Sequence, residues 1–250
     1  MSTAEPWFVS GFRAGYLELY RHRDLASARA EIAGLCELLG LRPSPAQPVL
    51  DLCCGFGRHT LALKERGFTV LGLDLSEDLL RHAQTEPELA PVRECLVRAD
   101  ARALPLQNER FGTLLNLFSS FGYFDDGGDR AVLGEMARVL RPGGELVLDL
   151  MNPSRIRSGL VPRSEALRAG GLLIEQRSLS PDGRRVFKEV EHRLPGGPVR
   201  WREAVRMYEP EELDALLDAA GFASIRRYGD FSGATFSSTA PRQLVSARRR

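Results

Sequence analysis

Apolar and polar positions change their period several times along the chain, and each change marks an element. Between Tyr16 and Leu41, the residues Leu17, Tyr20, Leu25, Ala28, Ile32, Leu35 and Leu39 recur at spacings of three to five, which predicts one face of a helix. Three prolines in Arg42–Pro48 stop it. The apolar run Val49–Leu52 then reads as a buried strand, and Arg58–Arg66 as a helix. A strand at Thr69–Leu73 and a helix from Ser76, a good N-cap, to about Ala83 follow. Strands are predicted at Leu96–Ala99 and Phe111–Phe118. The helix Asp129–Leu140 ends at Arg-Pro-Gly-Gly, and the next strand is Gly144–Leu150. Strands and helices alternating at this length predict an α/β, doubly wound, mostly parallel sheet with helices on both faces.

After Leu150 the pattern changes. Leu172–Leu179, Arg185–Leu194 and Val199–Tyr208 are strand-like and joined by Pro-Asp-Gly and Pro-Gly-Gly turns, which predicts a small antiparallel insertion. A helix at Pro210–Ala220 and strands near Ser224–Phe231 and Gln243–Ala247 return the chain to the main sheet. The expected organisation is an N-terminal lid segment over 1–48, a nucleotide-binding domain over 49–153 and 209–250, and an inserted cap over 154–208. Arg200, Arg202 and Arg206 share one face of a predicted strand and read as a solvated face; Arg248–Arg250 read as a solvated tail.

Composition narrows the class without choosing a function. At 250 residues, 43% hydrophobic and 27% charged, the chain suits a globular domain with an inserted lobe. A net charge of +1 implies no bulk attraction to nucleic acid or a membrane surface. No apolar run approaches the roughly eighteen residues of a membrane span. The N-terminal residues lack the basic region and apolar core of a signal peptide. Cys36, Cys53, Cys54 and Cys95 form no CxxC pair, and His22, His59, His82 and His192 are scattered. Neither a disulfide framework nor a metal is therefore expected, and a cytoplasmic protein with reduced thiols is the simplest reading.

The chemistry concentrates in Val49–Leu79, which packs a strand, an acid, a glycine turn, a helix, a second strand and a second acid into about thirty residues, the layout of a βαβ nucleotide-binding unit. Gly55 and Gly57 allow a sharp turn and a close approach of backbone to ligand. The following helix offers its unpaired N–H groups and positive end. Asp74, at the end of the second strand, could accept both hydroxyls of a ribose. A dinucleotide would set its pyrophosphate here and want a third small residue, where this chain has Thr60. Asp51, at the mouth, would repel a pyrophosphate but suits a ligand that carries an ammonium and a sulfonium.

These residues resemble motifs I and II of the class I S-adenosylmethionine-dependent methyltransferases, whose motif I reads D-x-G-x-G-x-G. The chain departs at Cys53, where the family usually has glycine; the last two glycines are kept, so the turn is expected to survive with the Cys53 side chain pointing away from the ligand. Asp100-Ala101 is similar to the family's adenine-contacting pair, and Arg138–Glu145 resembles its turn before the fifth strand of a seven-stranded sheet. Asn116–Tyr123 resembles the corresponding segment of small-molecule methyltransferases, sugar-amine N-methyltransferases among them, and Tyr16–Arg23 resembles their lid helix.

The resemblance implies S-adenosylmethionine as cofactor, with S-adenosylhomocysteine as its product, and methyl transfer to nitrogen or oxygen of a small-molecule acceptor. It also implies roles. Gly55 and Gly57 pass under the methionyl part, Asp51 holds its ammonium, and the backbone carbonyl of Asn116 or Leu117 faces the same group. Asp74 binds the ribose and Leu75 packs on adenine. Asp100 accepts from the adenine amino group, and the Ala101 N–H meets a ring nitrogen. Tyr16, Tyr20 and Arg23 close the pocket, with Arg23 on the cofactor carboxylate. His59 and Tyr123 are candidate bases, although His59 reads first as a helix-start residue that packs or caps; Ser120, Tyr123, Asp149 and Asn152 are candidate substrate contacts, although Asp149 could equally close a structural hydrogen bond. An NAD-dependent oxidoreductase, a cofactor-binding protein without turnover, and a protein or RNA methyltransferase remain as rival readings. The sequence leaves monomer and homodimer open.

Overall fold

The computed structural model describes residues 6–12 and 24–250. The short helix α1 (Trp7–Ser10) and α2 (Leu25–Leu39) precede β1 (Val49–Leu52), α3 (Arg58–Glu65), β2 (Val70–Asp74) and α4 (Glu77–Thr85). A 3-10 segment (Pro87–Cys95) leads to β3 (Leu96–Arg98), β4 (Phe111–Asn116), α5 (Asp126–Val139) and β5 (Leu140–Leu150). Then come α6 (Pro153–Gly159), β6 (Arg163–Arg168), β7 (Gly171–Leu179), β8 (Arg185–Leu194) and β9 (Gly197–Arg206). The chain closes with α7 (Pro210–Ala219), β10 (Phe222–Tyr228) and β11 (Gln243–Arg249).

Burial on both faces of the strands decides the architecture. In β1, Leu50 and Leu52 join one apolar cluster and Val49 another. Leu114 and Leu115 divide in the same way in β4, as do Leu148 and Val147 in β5. Successive side chains on a strand point to opposite faces, so such strands must be covered twice. On one face α5 and α7 bring Leu133, Met136, Leu213 and Leu217; on the other α2 and α3 bring Ile32, Leu35, Ala62 and Leu63. The seven strands run in the order β10-β11-β5-β4-β1-β2-β3, parallel except for β11, which is antiparallel to both neighbours. The order reverses between β1 and β4, and ligands bind at such a switch point, beyond the carboxyl ends of the strands. Among the described residues no helix is long and apolar enough to cross a membrane.

Element ends differ from the sequence expectation for local reasons. Gly40 closes α2 in a left-handed conformation, before the prolines are reached. The residues 13–23, which include much of the predicted lid, lie outside the described ones. α5 starts at Asp126 because Asp125 accepts from the Gly128 N–H, a cap hidden in an Asp-Asp-Gly-Gly-Asp run. β4 stops at Asn116, since Phe118 and Ser119 leave extended backbone. Of the expected tail Arg248–Arg250, the first two residues are instead part of β11, with Arg248 paired to Glu145 and Arg249 to Glu109.

β6 to β9 form a separate antiparallel sheet. β6 was not expected, because its mostly exposed sequence carries no apolar alternation. Backbone and side chain both dock this cap onto the segment after β4. The Arg206 N–H donates to Gly122 O (2.7 Å), and the Arg185 guanidinium donates to Phe124 O (2.8 Å). Gly122 has φ +96°, and a Cβ there would lie 2.6 Å from Arg206 O, so the contact requires glycine. Arg206 is buried on Glu212, whereas Arg200 and Arg202 are exposed and face Glu191 and Glu189. The three arginines expected on a solvated face are thus two surface residues and one anchor.

Candidate active site

The loop after β1 is held by carboxylates from two strand ends. Asp74 accepts from the Gly55 N–H (2.8 Å) with one oxygen and from the Ser76 N–H (2.7 Å) with the other. Asp51 accepts from the Thr60 hydroxyl at 2.6 Å. Burial pushes both acids above the usual carboxylate range, against the His59 charge, the Thr60 hydrogen bond and the Arg58 charge at Asp51, and against the backbone N–H groups at Asp74. Gly57 turns the loop (φ +86°); a Cβ there would press on Leu96 and Val92, and the residue does not line the cavity between the loop and the cap. Cys53 takes a left-handed φ of +62° without being glycine, and its residue forms part of that cavity's wall, contrary to the expected outward orientation. Burial, reinforced by Asp74 and Asp51, pushes its thiol far up, so it stays neutral.

The segment after β4 is also strained. Phe118 (φ +65°) and Ser119 (φ +57°) are both left-handed, a costly state for side-chain-bearing residues. Asp149 holds them: its side chain accepts from the Phe118 N–H (2.8 Å), and its carbonyl accepts from the Ser119 N–H (2.7 Å). Arg242 grips the Asp149 carboxylate with two contacts of 2.6 Å. Asn152 caps α6 and donates to Ala240 O and Ser237 O. Both residues are 1% exposed and stand behind the cavity wall, so these two expected substrate contacts are bracing groups. Asn116 likewise turns away and donates to Leu52 O (3.1 Å). Leu117 reaches the wall, and its carbonyl accepts from the Ser120 hydroxyl (2.9 Å).

Between these segments and the cap lies a cavity of about 450 Å³. One side carries Asp51, Gly55, Asp74, Leu75, Asp100 and Ala101. The opposite side comes from α6 and the cap and carries Ile156, Leu160, Val186, Lys188, Glu203 and Val205. Ser120 and Tyr123 also line the cavity. Tyr123 stacks on Phe12 (centroids 5.8 Å apart, 19° between planes) and meets the edge of Trp7 at 4.7 Å. The Ser76 hydroxyl donates to Phe12 O (2.5 Å), which ties the N-terminal strap to the start of α4. Tyr16, Tyr20 and Arg23 lie outside the described residues.

Sequence reasoning missed Glu31, Arg58 and Arg102. Glu31, on α2, lies 2.6 Å from His59 Nε2 and 3.0 Å from Arg58 Nη1. Burial alone would raise Glu31, but the His59 hydrogen bond and the Arg58 charge outweigh it and hold the acid below its usual value. His59 is on the cavity wall, yet its Nε2 is committed to Glu31, which fits a positioning group better than a base. Arg102 grips Asp100 through Nη2 (2.6 Å) and Nε, which lowers that acid, and its guanidinium lies 4.4 Å over the Phe124 ring. The signal for Arg58 was its place at the first turn of the helix after the glycine loop; Glu31 gave none, being a polar position on a helix 27 residues earlier.

Asp51 and Asp74 line the cavity beside the glycine loop, where the pyrophosphate of a dinucleotide would meet two carboxylates. The comparisons with known proteins decide the family. A family model described as a methyltransferase domain matches residues 49–144. The demethylmenaquinone methyltransferase of Thermus thermophilus is 32% identical over 192 residues, covering 74% of this chain and 78% of that protein. The chain belongs to the class I S-adenosylmethionine-dependent methyltransferases. This methyltransferase is also 28% identical over 210 residues to the dTDP-3-amino-3,4,6-trideoxy-alpha-D-glucopyranose N,N-dimethyltransferase of Streptomyces venezuelae, covering 81% of this chain and 85% of that one. Its fold matches the CcbJ methyltransferase from Streptomyces caelestis, with a TM-score of 0.78, 20% identity and 99% of each chain covered. The cofactor is S-adenosylmethionine. The residues present fit it: the methyltransferase's desolvated Asp51 gains from a cation, and Leu75 and Ala101 offer apolar wall beside Asp100.

Proposed function

We propose that the enzyme methylates a nitrogen or oxygen of a small molecule held between the donor loop and the cap. The observation that carries this is the wall opposite the three acids. It is built by α6 and the inserted sheet, and it leaves the acceptor only the part of a cavity of about 450 Å³ that the cofactor does not fill. A pocket of that size, with apolar walls and a few placed polar groups, suits a small ligand rather than a flat macromolecular surface. Ile156, Leu160, Val186 and Val205 would pack the body of the acceptor. Lys188 and Glu203, paired at 2.7 Å, give the wall one polar spot to orient it. A relative named for N,N-dimethylation of an amino sugar nucleotide supports an amine as the first acceptor to try.

When bound, the cofactor supplies a methyl group already activated on a sulfonium, so the hard chemistry belongs to it. The chain's own work is to bind, align and exclude water. Asp51 would hold the methionyl ammonium together with the Leu117 carbonyl. Asp74 would accept from the ribose, Leu75 would pack on adenine, and Asp100 and the Ala101 N–H would read its edge. The aromatic strap of Phe8, Phe12 and Tyr123 would keep water out. Tyr123 would position the acceptor atom through its phenol, and could take a proton from a hydroxyl acceptor only as the phenolate.

The test is transfer of labelled methyl from S-adenosylmethionine into a cell extract divided into small-molecule and macromolecular fractions. Label in the small-molecule fraction is expected. Label only in protein or RNA would overturn the reading, and cofactor binding with no label in any fraction would favour a binding protein without turnover.

A further inference from the structure

We propose that Arg58 clamps the carboxylate at the methionyl end of the cofactor, with Glu31 as the residue that positions the clamp. The proposal concerns the donor side and holds whatever the acceptor is. Arg58 is the first residue of α3, where the unpaired N–H groups and the positive end of the helix favour an anion. It lies on the cavity wall and is 6% exposed. Its fork is only half used. Nη1 donates to Glu31 Oε2 (3.0 Å) and to the Ser27 hydroxyl (3.3 Å). Nη2 is buried and has no hydrogen-bond partner among the described residues. Buried donors left unpaired are rare in native proteins and call for a missing partner.

The guanidinium is also held in orientation by an aromatic ring. Its carbon lies 5.2 Å over the Phe118 ring, and Arg242 lies 5.4 Å from the same ring. Phe118 is fixed in turn by the Asp149 brace. Glu31 cannot move to cover Nη2 without leaving His59, 2.6 Å away. A rigid half-used fork on a cavity wall matches a carboxylate, which accepts two parallel N–H bonds. Asp51 lies within the reach of the Arg58 charge, which pulls its carboxyl down against burial. Asp51 and Arg58 therefore present opposite charges to one end of the cavity. The methionyl end of the cofactor is zwitterionic, with an ammonium for the first and a carboxylate for the second. Arg23, to which the family resemblance gave the carboxylate, lies outside the described residues.

Calorimetric titration of the full chain with two ligands separates this role from a structural one. S-adenosylhomocysteine carries the carboxylate; 5′-methylthioadenosine keeps the nucleoside and thioether but lacks the amino-acid end. We expect Arg58→Gln to weaken S-adenosylhomocysteine about thirty-fold, as loss of charge-assisted hydrogen bonds does. Methylthioadenosine should keep its wild-type affinity. Arg58→Lys retains charge without the fork and should recover only part of the loss. Equal weakening of both ligands would make Arg58 a loop-supporting residue, and no weakening of either would place the carboxylate elsewhere. Should Arg58→Gln fail to fold, Arg58→Lys decides by the same comparison. A loss confined to S-adenosylhomocysteine supports the clamp; a parallel loss, or none, overturns it.

Discussion

The two sides of the cavity are built by opposite strategies. On the donor side, partners lie close in sequence: Thr60 and Asp51 are nine residues apart, Gly55 and Asp74 nineteen, and Ser76 and Asp74 two. On the acceptor side, the contacts that set the wall join distant segments. Arg185 reaches Phe124 across 61 residues and Gly122 across 63, and Phe12 stacks on Tyr123. A site assembled within one βαβ unit must keep fixed residue types at fixed spacings, because the local backbone dictates them. A wall assembled from remote segments can change its residues while the scaffold stays. The first kind of site fits a cofactor shared by a family, and the second an acceptor that differs among its members.

If the two sides are separable, damage to one should spare the other. The largest effect is expected from Gly122→Val. Left-handed strain and overlap with Arg206 O together cost roughly 4 kcal/mol, which for a chain of this size lowers Tm by about 10 °C. Methyl transfer should fall steeply while S-adenosylhomocysteine still binds. An equal fall in cofactor affinity would show that cap and donor loop act as one unit. Next comes Asp74→Ala, which removes the ribose acceptor and frees the Gly55 and Ser76 N–H groups. S-adenosylhomocysteine should weaken about a hundred-fold, or about 3 kcal/mol, and unchanged affinity in titration would remove Asp74 from the site.

A smaller effect tests the joint between α5 and the exit of the cap. Burial raises Asp129 to about 6, with the Tyr208 O–H and Phe124 N–H bonds and the Arg185 charge opposing it and Asp126 adding to it. Tyr208 donates to Asp129 at 2.6 Å. The folded state then holds the proton more tightly than the unfolded one, whose ordinary value is 3.8. Ionised Asp129 thus costs stability above pH 6, and the cost is relieved as pH falls through 6. This gives a gain of about 1 kcal/mol between pH 7 and pH 5. Asp129→Asn should remove that part of the slope in thermal melts; an unchanged slope would assign it to another group. The smallest effect belongs to Cys53→Gly. Glycine relieves the left-handed backbone and should raise stability by up to about 1 kcal/mol with cofactor affinity intact. A lower Tm would mean that thiol packing outweighs the strain.

The sequence made the donor side readable because its signals are short-range. Short apolar runs alternating with helices, the glycine turn and the two strand-end acids pointed to the sheet, its parallel sense and the family resemblance. Asp51, Gly55, Asp74, Leu75, Asp100 and Ala101 do meet on one wall. What could not be read depends on separation and context. Glu31 is one polar residue on a helix face until α2 packs on α3 and brings it to Arg58 and His59. Asp149 and Asn152 stand where substrate contacts were expected, but strand end and cavity are different places: their side chains satisfy Arg242 and the 237–240 carbonyls. β6 carries too little apolar pattern to announce itself and is drawn into a sheet by β7.

The placement of β11 bears on how the molecule comes into being. β11 is made after every other strand described here, yet it sits inside the main sheet, between β5 and β10. During synthesis β5 therefore waits with one edge unpaired while the whole cap is produced, a long-range pairing that slows folding and leaves an open edge in the interim. Arg242 immediately precedes that strand, and it is the partner of Asp149. The left-handed turn at Phe118 and Ser119 consequently gains its brace only when the sheet is complete. The brace behind the segment that follows β4 is thereby tied to the last strand of the chain to be made.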